Sequence, residues 1–278
     1  NSATLKKLTT LESSKSNQQA HRGRQETKNS NLSGPTGSPA KPKIPSVLIL
    51  GIETATPQVG VAIGGHEGVI ASFHTARDRR HAETLAPAIQ FLCTQTRIDL
   101  NEIGVVAVDI GPGLFTGLRV GLATAKALAH ACKIPMIGIS SLDLAAFPAR
   151  FSDRLIVSTV DARRGEIFYA TYRRTAGGIQ RISEPQVGQP DNVANQLTAQ
   201  GDDCLVVGDG AQRYADTFQM LRGVEIGQEG FRYPNAGSLV ELAHPRALRE
   251  EFVSPAEIEP LYLRAPDARI NWQERERS

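Results

Sequence analysis

The sequence is poor in cysteine and in long apolar runs, and each shortage excludes a class of protein. Its three cysteines, Cys93, Cys132 and Cys204, form no Cys-x-x-Cys pair, which argues against a structural zinc site and a disulfide framework. The apolar run at residues 47–52 is far shorter than the roughly 18 residues that cross a bilayer. We therefore expect a cytoplasmic protein that does not enter a membrane.

Residue patterns typical of hydrolases are also missing. No two of the six histidines stand four residues apart, the spacing at which a helix presents two ligands to one metal ion. The sequence has no Gly-x-Ser-x-Gly elbow and no evident Cys–His pairing. We therefore assign no catalytic residue and no metal ligand.

The net charge of +2 is unevenly distributed. Residues 1–46 carry eight Lys or Arg and two Glu, whereas the rest of the chain carries 23 basic and 27 acidic residues. A folded body with slight negative charge is poorly suited to hold RNA by itself, because phosphate contacts need clustered cations. We expect any RNA contact to need a partner protein.

Residues 1–46 are rich in polar residues, and four prolines fall between positions 33 and 45. Such a segment buries too little apolar surface to fold alone, which predicts a disordered basic tail and linker. A targeting segment is the alternative, although no amphipathic arginine-rich helix is evident.

The folded body shows the same order of elements twice. Three strands with short turns come first, and helices and strands then alternate. This order predicts an α/β fold of two related lobes, residues 47–150 and 151–278, the second ending in a C-terminal tail. The predicted strands are 47–52, 59–63, 69–73, 105–110, 136–139, 155–160, 166–172, 204–207 and one near Tyr262; the predicted helices are 82–96, 117–131, 142–149, 193–197 and 236–243.

The strongest local motif is the glycine-rich segment at residues 111–119, which joins a strand to a helix. Gly111 and Gly113 allow positive φ and could aim backbone N–H groups into an anion-binding concavity, while Thr116 could cap the helix. A tight strand-to-helix turn without a ligand is an equal alternative, because the motif lacks the lysine of a phosphate-binding loop.

Two predicted helices carry patterns typical of close packing. Leu85, Ile89 and Leu92 share one face of helix 82–96, where Pro87 either starts or kinks the helix. In helix 117–131 two rows of small residues recur every four positions: Gly117, Gly121 and Ala125, and Ala123, Ala127 and Ala131. Two rows exceed what one sheet contact requires, so we predict a partner interface; packing on the chain's own sheet is the alternative. The predicted interface residues are Leu85, Ile89, Leu92, Gly117, Gly121 and Ala125.

Four carboxylates, Glu53, Asp109, Asp161 and Asp209, lie at predicted strand ends. Ligands of α/β proteins collect at such positions, where acids could hold Mg²⁺ and a nucleotide. Asp and Glu also cap turns without binding anything, which is the alternative reading.

Several motifs, in this order along the chain, resemble the TsaB (YeaZ) family. They are Ile-Glu-Thr-Ala-Thr at 52–56, the glycine-rich segment at 111–119, the strand at 135–141, Val-Asp-Ala-Arg-Arg-Gly-Glu at 160–166 and Glu-Pro-Leu-Tyr-Leu-Arg at 259–264. The resemblance implies a two-lobed actin/hexokinase/Hsp70-like fold with mixed sheets. It further implies a non-catalytic scaffold subunit of the machinery that makes threonylcarbamoyladenosine next to the tRNA anticodon.

The resemblance also implies partners: a TsaD-type catalytic subunit, which docks on helices 82–96 and 117–131, and a TsaE-type ATPase. A homodimer is an alternative, and tRNA is reached only through the complex. Glu53 stands where the family commonly has Asp, and Leu114 where Ser is usual. Both changes weaken a nucleotide site built from Glu53, Gly111, Gly113, Thr116 and Asp161, so we expect no required cofactor and at most weak binding of ATP or ADP with Mg²⁺. An ATP-binding kinase-like enzyme of the same fold is the alternative function.

Overall fold

The computed structural model describes residues 47–76 and 80–264. The tail predicted at residues 1–46 and the predicted C-terminal tail beyond Arg264 lie outside the described residues.

The first sheet confirms the predicted meander of three strands. It contains β1 (Leu48–Glu53), β2 (Val59–Gly65), β3 (Gly68–Thr75), β4 (Ile103–Gly111) and β5 (Met136–Ser140). The strand order is β3-β2-β1-β4-β5; β1 is antiparallel to β2 and parallel to β4, and β4 is parallel to β5. The apolar runs of β1 and β4 are central strands because both of their faces are covered by helices.

Helices α1 (His81–Thr96) and α2 (Phe115–Cys132) cover one face of this sheet, as predicted. In each helix the buried residues recur at intervals of three and four, which places them on one face. Pro87 lies within α1 and does not start it. Both helices end at a residue in the left-handed region, Arg97 and Lys133.

The second sheet repeats the order of the first. Its strands are β6 (Leu155–Arg163), β7 (Glu166–Thr175), β8 (Gly178–Arg181), β10 (Cys204–Val207) and β11 (Val224–Ile226), while β9 (Gln186–Gly188) pairs with β7. The order β8-β7-β6-β10-β11 matches that of the first sheet, with β6 in the place of β1. The antiparallel β6–β7 pair and the parallel β6–β10 and β10–β11 pairs match as well. The predicted repetition of two mixed sheets is confirmed.

The remaining helices are α3 (Ser141–Ala146), α4 (Pro190–Gln200), α5 (Asp209–Arg213), α6 (Ala215–Gln219) and α7 (Ala236–Leu248). Helix α7, within the predicted second lobe, packs through Leu239 and Val240 on the first sheet and covers the face opposite α1 and α2. The strand predicted near Tyr262 is wrong, since residues 261–264 form only one backbone bond to the sheet, from Leu261 N–H to Ile110 O (2.7 Å). Among the described residues, no helix is both long and apolar enough to span a bilayer.

Candidate functional site

The glycine-rich segment packs directly against the turn that follows β1. A Cβ atom on Gly113 would lie 2.2 Å from Ala55 O, and one on Gly117 would lie 2.1 Å from Thr54 O. Leu114 N–H donates to Ala55 O (2.6 Å), and Thr54 Oγ1 donates to Gly117 O (2.9 Å). These glycines are therefore needed for close contact between two backbone segments, and residues 54–55 occupy the space that a ligand would need beside them.

Two backbone N–H groups of this segment are also engaged within the protein. Gly111 N–H donates to Asp109 Oδ1 (2.7 Å), and Leu114 N–H is bonded to Ala55. Thr116 is exposed and is the second residue of α2, whose N-cap residue is Leu114 without a side-chain cap. The expected cap by Thr116 is wrong, because the helix begins at Phe115, two residues earlier than a cap at Thr116 would allow.

Glu53 is the last residue of β1, Asp109 lies two residues before the end of the neighbouring parallel strand β4, and both are almost completely buried. Glu53 Oε1 accepts from Ala55 N–H (2.9 Å); Asp109 Oδ1 accepts from Gly111 N–H and from Ser141 Oγ (2.6 Å). Glu53 Oε2 and Asp109 Oδ2 accept no hydrogen bond from any described residue. A buried carboxyl oxygen without a donor favours the protonated form of the acid.

The pKa values of this pair follow from its surroundings. Burial raises the pKa of Asp109 to about 7. Burial, and secondarily the charge of Asp109, hold the pKa of Glu53 well above its usual range. The pair is therefore prone to carry protons near neutral pH, which makes it a poor ligand set for a divalent cation. Within residues 47–76 and 80–264, no group of three His, Cys, Asp or Glu side chains could hold a metal ion.

The corresponding acids of the second lobe have cationic partners. Asp161, on β6, lies 2.9 Å from Arg163 Nη1 and 3.6 Å from Arg213 Nη1, both measured from its Oδ2 atom. Asp209 Oδ1 accepts from Asp161 N–H (2.9 Å), and burial raises the pKa of Asp209 to about 6. Sequence reasoning singled out both aspartates but missed Arg213, because it follows no recognisable motif.

A cavity of about 480 Å³ lies between the glycine-rich segment and the second lobe. Gly113 and Asp161 line it, whereas Glu53 and Gly111 do not. Its other lining residues are mostly apolar, with three arginines: Pro112, Leu114, Phe115, Ala162, Arg163, Arg164, Phe168, Leu261, Tyr262, Leu263 and Arg264. The structure therefore brings together only part of the predicted nucleotide site.

The predicted interface residues require a correction. Leu85, Ile89, Leu92 and Ala125 belong to the hydrophobic core of the first lobe. Gly117 and Gly121 face Thr54, and a Cβ atom on Gly121 would lie 2.1 Å from Thr54 Oγ1. This row packs on the chain's own sheet, so a partner of the folded chain cannot reach it.

The other small-residue row lies on the outer surface of α2. Ala123, Ala127 and Ala131 are exposed. Ala131 also lines a groove of about 860 Å³ between α1, α2 and residues 97–101. Across the groove α1 contributes Ala86, Gln90 and Thr94. Helices α1 and α2 thus border one open groove with exposed side chains, several of which are small.

The chain is similar to known proteins over most of its length. A family model described as tRNA N6-adenosine threonylcarbamoyltransferase (TsaD) matches residues 68–272. The chain is 31% identical over 223 residues to the tRNA threonylcarbamoyladenosine biosynthesis protein TsaB of Escherichia coli, a match that covers 78% of this chain and 94% of that protein. It is 36% identical over 228 residues to the uncharacterized protein ML0378 of Mycobacterium leprae, covering 80% of this chain but only 56% of that protein.

The solved structure of YeaZ from Pseudomonas aeruginosa superposes on the chain with a TM-score of 0.68 at 25% identity, covering 78% of this chain and 100% of that one. Together with the repeated strand order, this likeness confirms the two-lobed fold that the sequence predicts.

Proposed function

Because the chain belongs to the TsaB (YeaZ) family, we propose that it is a non-catalytic subunit of the complex that makes threonylcarbamoyladenosine in tRNA. The single observation that supports this role is the closed strand-end site of the first lobe. Residues 54–55 fill the space beside the glycine-rich segment, and Glu53 and Asp109 are buried behind it. A kinase-like enzyme needs its acids and its phosphate-binding loop on one open cavity.

We expect any ATP or ADP, with Mg²⁺, to bind weakly and to be dispensable. The N–H groups of Gly111 and Leu114 are already bonded within the chain, so they have no donor left for a phosphate. Isothermal titration should give a Kd no tighter than about 1 mM, equivalent to about 4 kcal/mol of binding free energy. A cytoplasmic location is part of the proposal and agrees with the free thiols of Cys93, Cys132 and Cys204.

A bacterial strain depleted of its own TsaB tests the proposed role. We expect the chain to restore threonylcarbamoyladenosine, measured by mass spectrometry of tRNA nucleosides, and Glu53→Gln and Asp109→Asn to restore it equally, since neither carboxyl lines the 480 Å³ cavity. If either variant folds normally but loses the modification, the acid has a chemical role and the non-catalytic proposal is wrong.

We propose that a TsaD-type subunit docks on the outer surface of α1 and α2, through the exposed row Ala123, Ala127 and Ala131. Small side chains let a second helix approach closely, and added bulk at such a contact costs about 1–3 kcal/mol, or about one to two orders of magnitude in affinity. Ala127→Leu should therefore weaken binding about tenfold or more in a titration with the TsaD-type subunit.

Ala199, exposed on α4 of the second lobe, provides the matched control. Ala199→Leu adds the same bulk and should leave the affinity unchanged. Equal affinities for both variants would mean that the subunit docks elsewhere. Light scattering of the isolated chain tests the alternative of a homodimer: a dimer formed through the exposed row of α2 should dissociate in Ala127→Leu but not in Ala199→Leu. Recruitment of a TsaE-type ATPase is a later step of the same proposal, and pull-down with all three proteins tests it.

A further inference from the structure

Six arginines cluster where the second lobe faces the cavity at the glycine-rich segment. We name this cluster the arginine surface: Arg119, Arg163, Arg164, Arg213, Arg232 and Arg264. Five of them line either the 480 Å³ cavity or a second cavity of about 290 Å³, and both cavities share Asp161 and Arg163. Arg119 joins the cluster through its Nε donor to Tyr262 Oη (3.4 Å).

The arginine surface concentrates cations in a chain that is otherwise slightly acidic. Carboxylates also lie there: Asp161 and Asp209, together with Glu166, which pairs with Arg264, and Glu229, which pairs with Arg232. The six arginines nevertheless lie around two adjoining cavities, whereas the chain after residue 46 as a whole carries 27 acidic and 23 basic residues. The cations are thus clustered, and clustered cations are what contacts to successive phosphates require.

Two exposed aromatic rings border the same cavity. Phe115 and Tyr262 are 42% and 40% exposed, and their ring centroids lie 5.7 Å apart. The Arg119 guanidinium lies 3.7 Å from the centroid of the Phe115 ring. Aromatic rings beside arginines provide the two contacts that hold single-stranded nucleic acid, namely base stacking and phosphate pairing. A cavity of about 480 Å³ falls within the size range of sites for small organic groups.

We propose that the arginine surface binds an unpaired stretch of RNA, with a base against Phe115 and Tyr262 and phosphates on the arginines. The proposal rests on the proposed function, because the RNA is then the tRNA substrate of the complex. A free nucleotide bound with its phosphates at the glycine-rich segment fits less well, because residues 54–55 already fill the space beside Gly113 and Gly117. Cations spread over two adjoining cavities suit a chain of phosphates.

Fluorescence anisotropy of the full chain with a labelled anticodon stem-loop of tRNA tests this surface. Arg119→Gln combined with Arg213→Gln removes two exposed cations, while Asp161 keeps Arg163 as its partner. We expect affinity to fall about tenfold or more, and the slope of log K against log salt to shrink by about 0.7–0.9 for each lost phosphate contact. Phe115→Ala with Tyr262→Ala should also weaken binding about tenfold, with the salt slope unchanged.

The matched control removes the same charge elsewhere. Arg222 is exposed, and Arg249 is 59% exposed against 53% for Arg213. Arg222→Gln with Arg249→Gln should bind RNA like the unaltered chain, which also accounts for non-specific binding by the basic residues 1–46. Equal losses in both double variants would overturn the proposal, as would no RNA binding at about 50 mM salt.

Two competitors identify the ligand. A mononucleotide and polyglutamate at equal phosphate or carboxylate concentration should displace the stem-loop poorly. Displacement by either that is as effective as displacement by unlabelled RNA would overturn the proposal.

The tRNA modification restored in the depleted strain is measured separately from RNA binding, so that the two proposals can fail independently. A chain that restores threonylcarbamoyladenosine but binds no RNA refutes this inference and leaves the proposed function standing. A chain that binds RNA through these arginines but restores no modification refutes the proposed function alone.

Discussion

Glu53 in the first lobe and Asp161 in the second lie near the ends of equivalent strands but have different surroundings. Among the described residues, no cation pairs with the buried Glu53 or with its neighbour Asp109, and one oxygen of each has no hydrogen-bond donor. Asp161 lies near the end of β6, the strand that corresponds to β1, and its carboxylate pairs with Arg163 and Arg213. The same topology therefore supports a closed, proton-holding site and an open, ion-paired site.

The difference shows that the position of an acid in this fold does not determine its chemistry. What covers the strand end decides it: residues 54–55 and the glycine-rich segment seal the first lobe, whereas arginines on β6 and α5 surround the second. Burial without a cation raises the pKa of an acid, whereas a neighbouring guanidinium favours the charged form.

The largest expected effect tests whether Gly121 packs against Thr54, where residues 54–55 and the glycine-rich segment close the strand ends of the first lobe. Gly121→Leu forces a side chain into the position of Thr54 Oγ1, only 2.1 Å from a Cβ atom, and Thr54 is itself buried and hydrogen-bonded. We expect a loss of about 3 kcal/mol or more in the free energy of unfolding, measured by urea denaturation, or no folded protein.

Ala123→Leu, on the exposed row of the same helix, is the control and should change stability by less than about 0.5 kcal/mol. If Gly121→Leu is as stable as Ala123→Leu, the row Gly117, Gly121 and Ala125 does not face the core, and the glycine-rich segment does not close the first lobe against Thr54.

The glycine row also shows where sequence reasoning succeeds and where it stops. Strands β1–β5 and helices α1 and α2 were predictable because apolar runs and a 3.6-residue period report burial directly. A row of small residues reports that something approaches closely, but not whether it is the chain's own turn or a partner. The contact of Gly121 with Thr54 spans 67 positions, and no local pattern encodes it.

Short exposed elements explain the other misses. Strands β8, β9 and β11 have only three or four residues and no fully buried side chain, so each is too short for an alternating apolar pattern to stand out. Likewise, the aspartates at 161 and 209 could be singled out as strand-end acids, but their arginine partner at 213 is brought near only by the packing of α5 on β6.

The next largest expected effect is the loss of stability when the ion pairs of Asp161 in the second lobe are removed. Asp161→Asn removes the charge that faces Arg163 and Arg213 while keeping the shape of the side chain. We expect about 2 kcal/mol of destabilisation at neutral pH, less than for a fully buried pair, because both arginines are partly exposed. Urea denaturation at low and high salt is the measurement.

Arg213→Gln should cost less than about 1 kcal/mol, since Arg163 remains beside the carboxylate. A larger loss from Arg213→Gln than from Asp161→Asn would show that the arginine stabilises the fold through another contact, and the comparison between the lobes would then lose its electrostatic basis.

The smallest expected effect is a change in how stability depends on pH in the first lobe. Burial raises the pKa of Asp109 from 3.8 to about 7, so the folded chain holds a proton that the unfolded chain has released between those values. Stability from this group is therefore fully present below about pH 4 and is lost as the pH rises towards 7. Asp109→Asn mimics the protonated acid and still accepts hydrogen bonds from Gly111 and Ser141.

We therefore expect Asp109→Asn to match the unaltered chain at about pH 4 and to exceed it by at least about 1 kcal/mol at pH 8, measured as the free energy of unfolding in urea. Some pH dependence should persist from Glu53, whose pKa is also raised by burial, and adding Glu53→Gln should reduce it further. Asp161→Asn, which loses its two arginine contacts, should instead be destabilised at pH 8. If Asp109→Asn is instead destabilised at pH 8, its carboxylate is ionised and well paired in the folded chain, and the two lobes treat their acids alike.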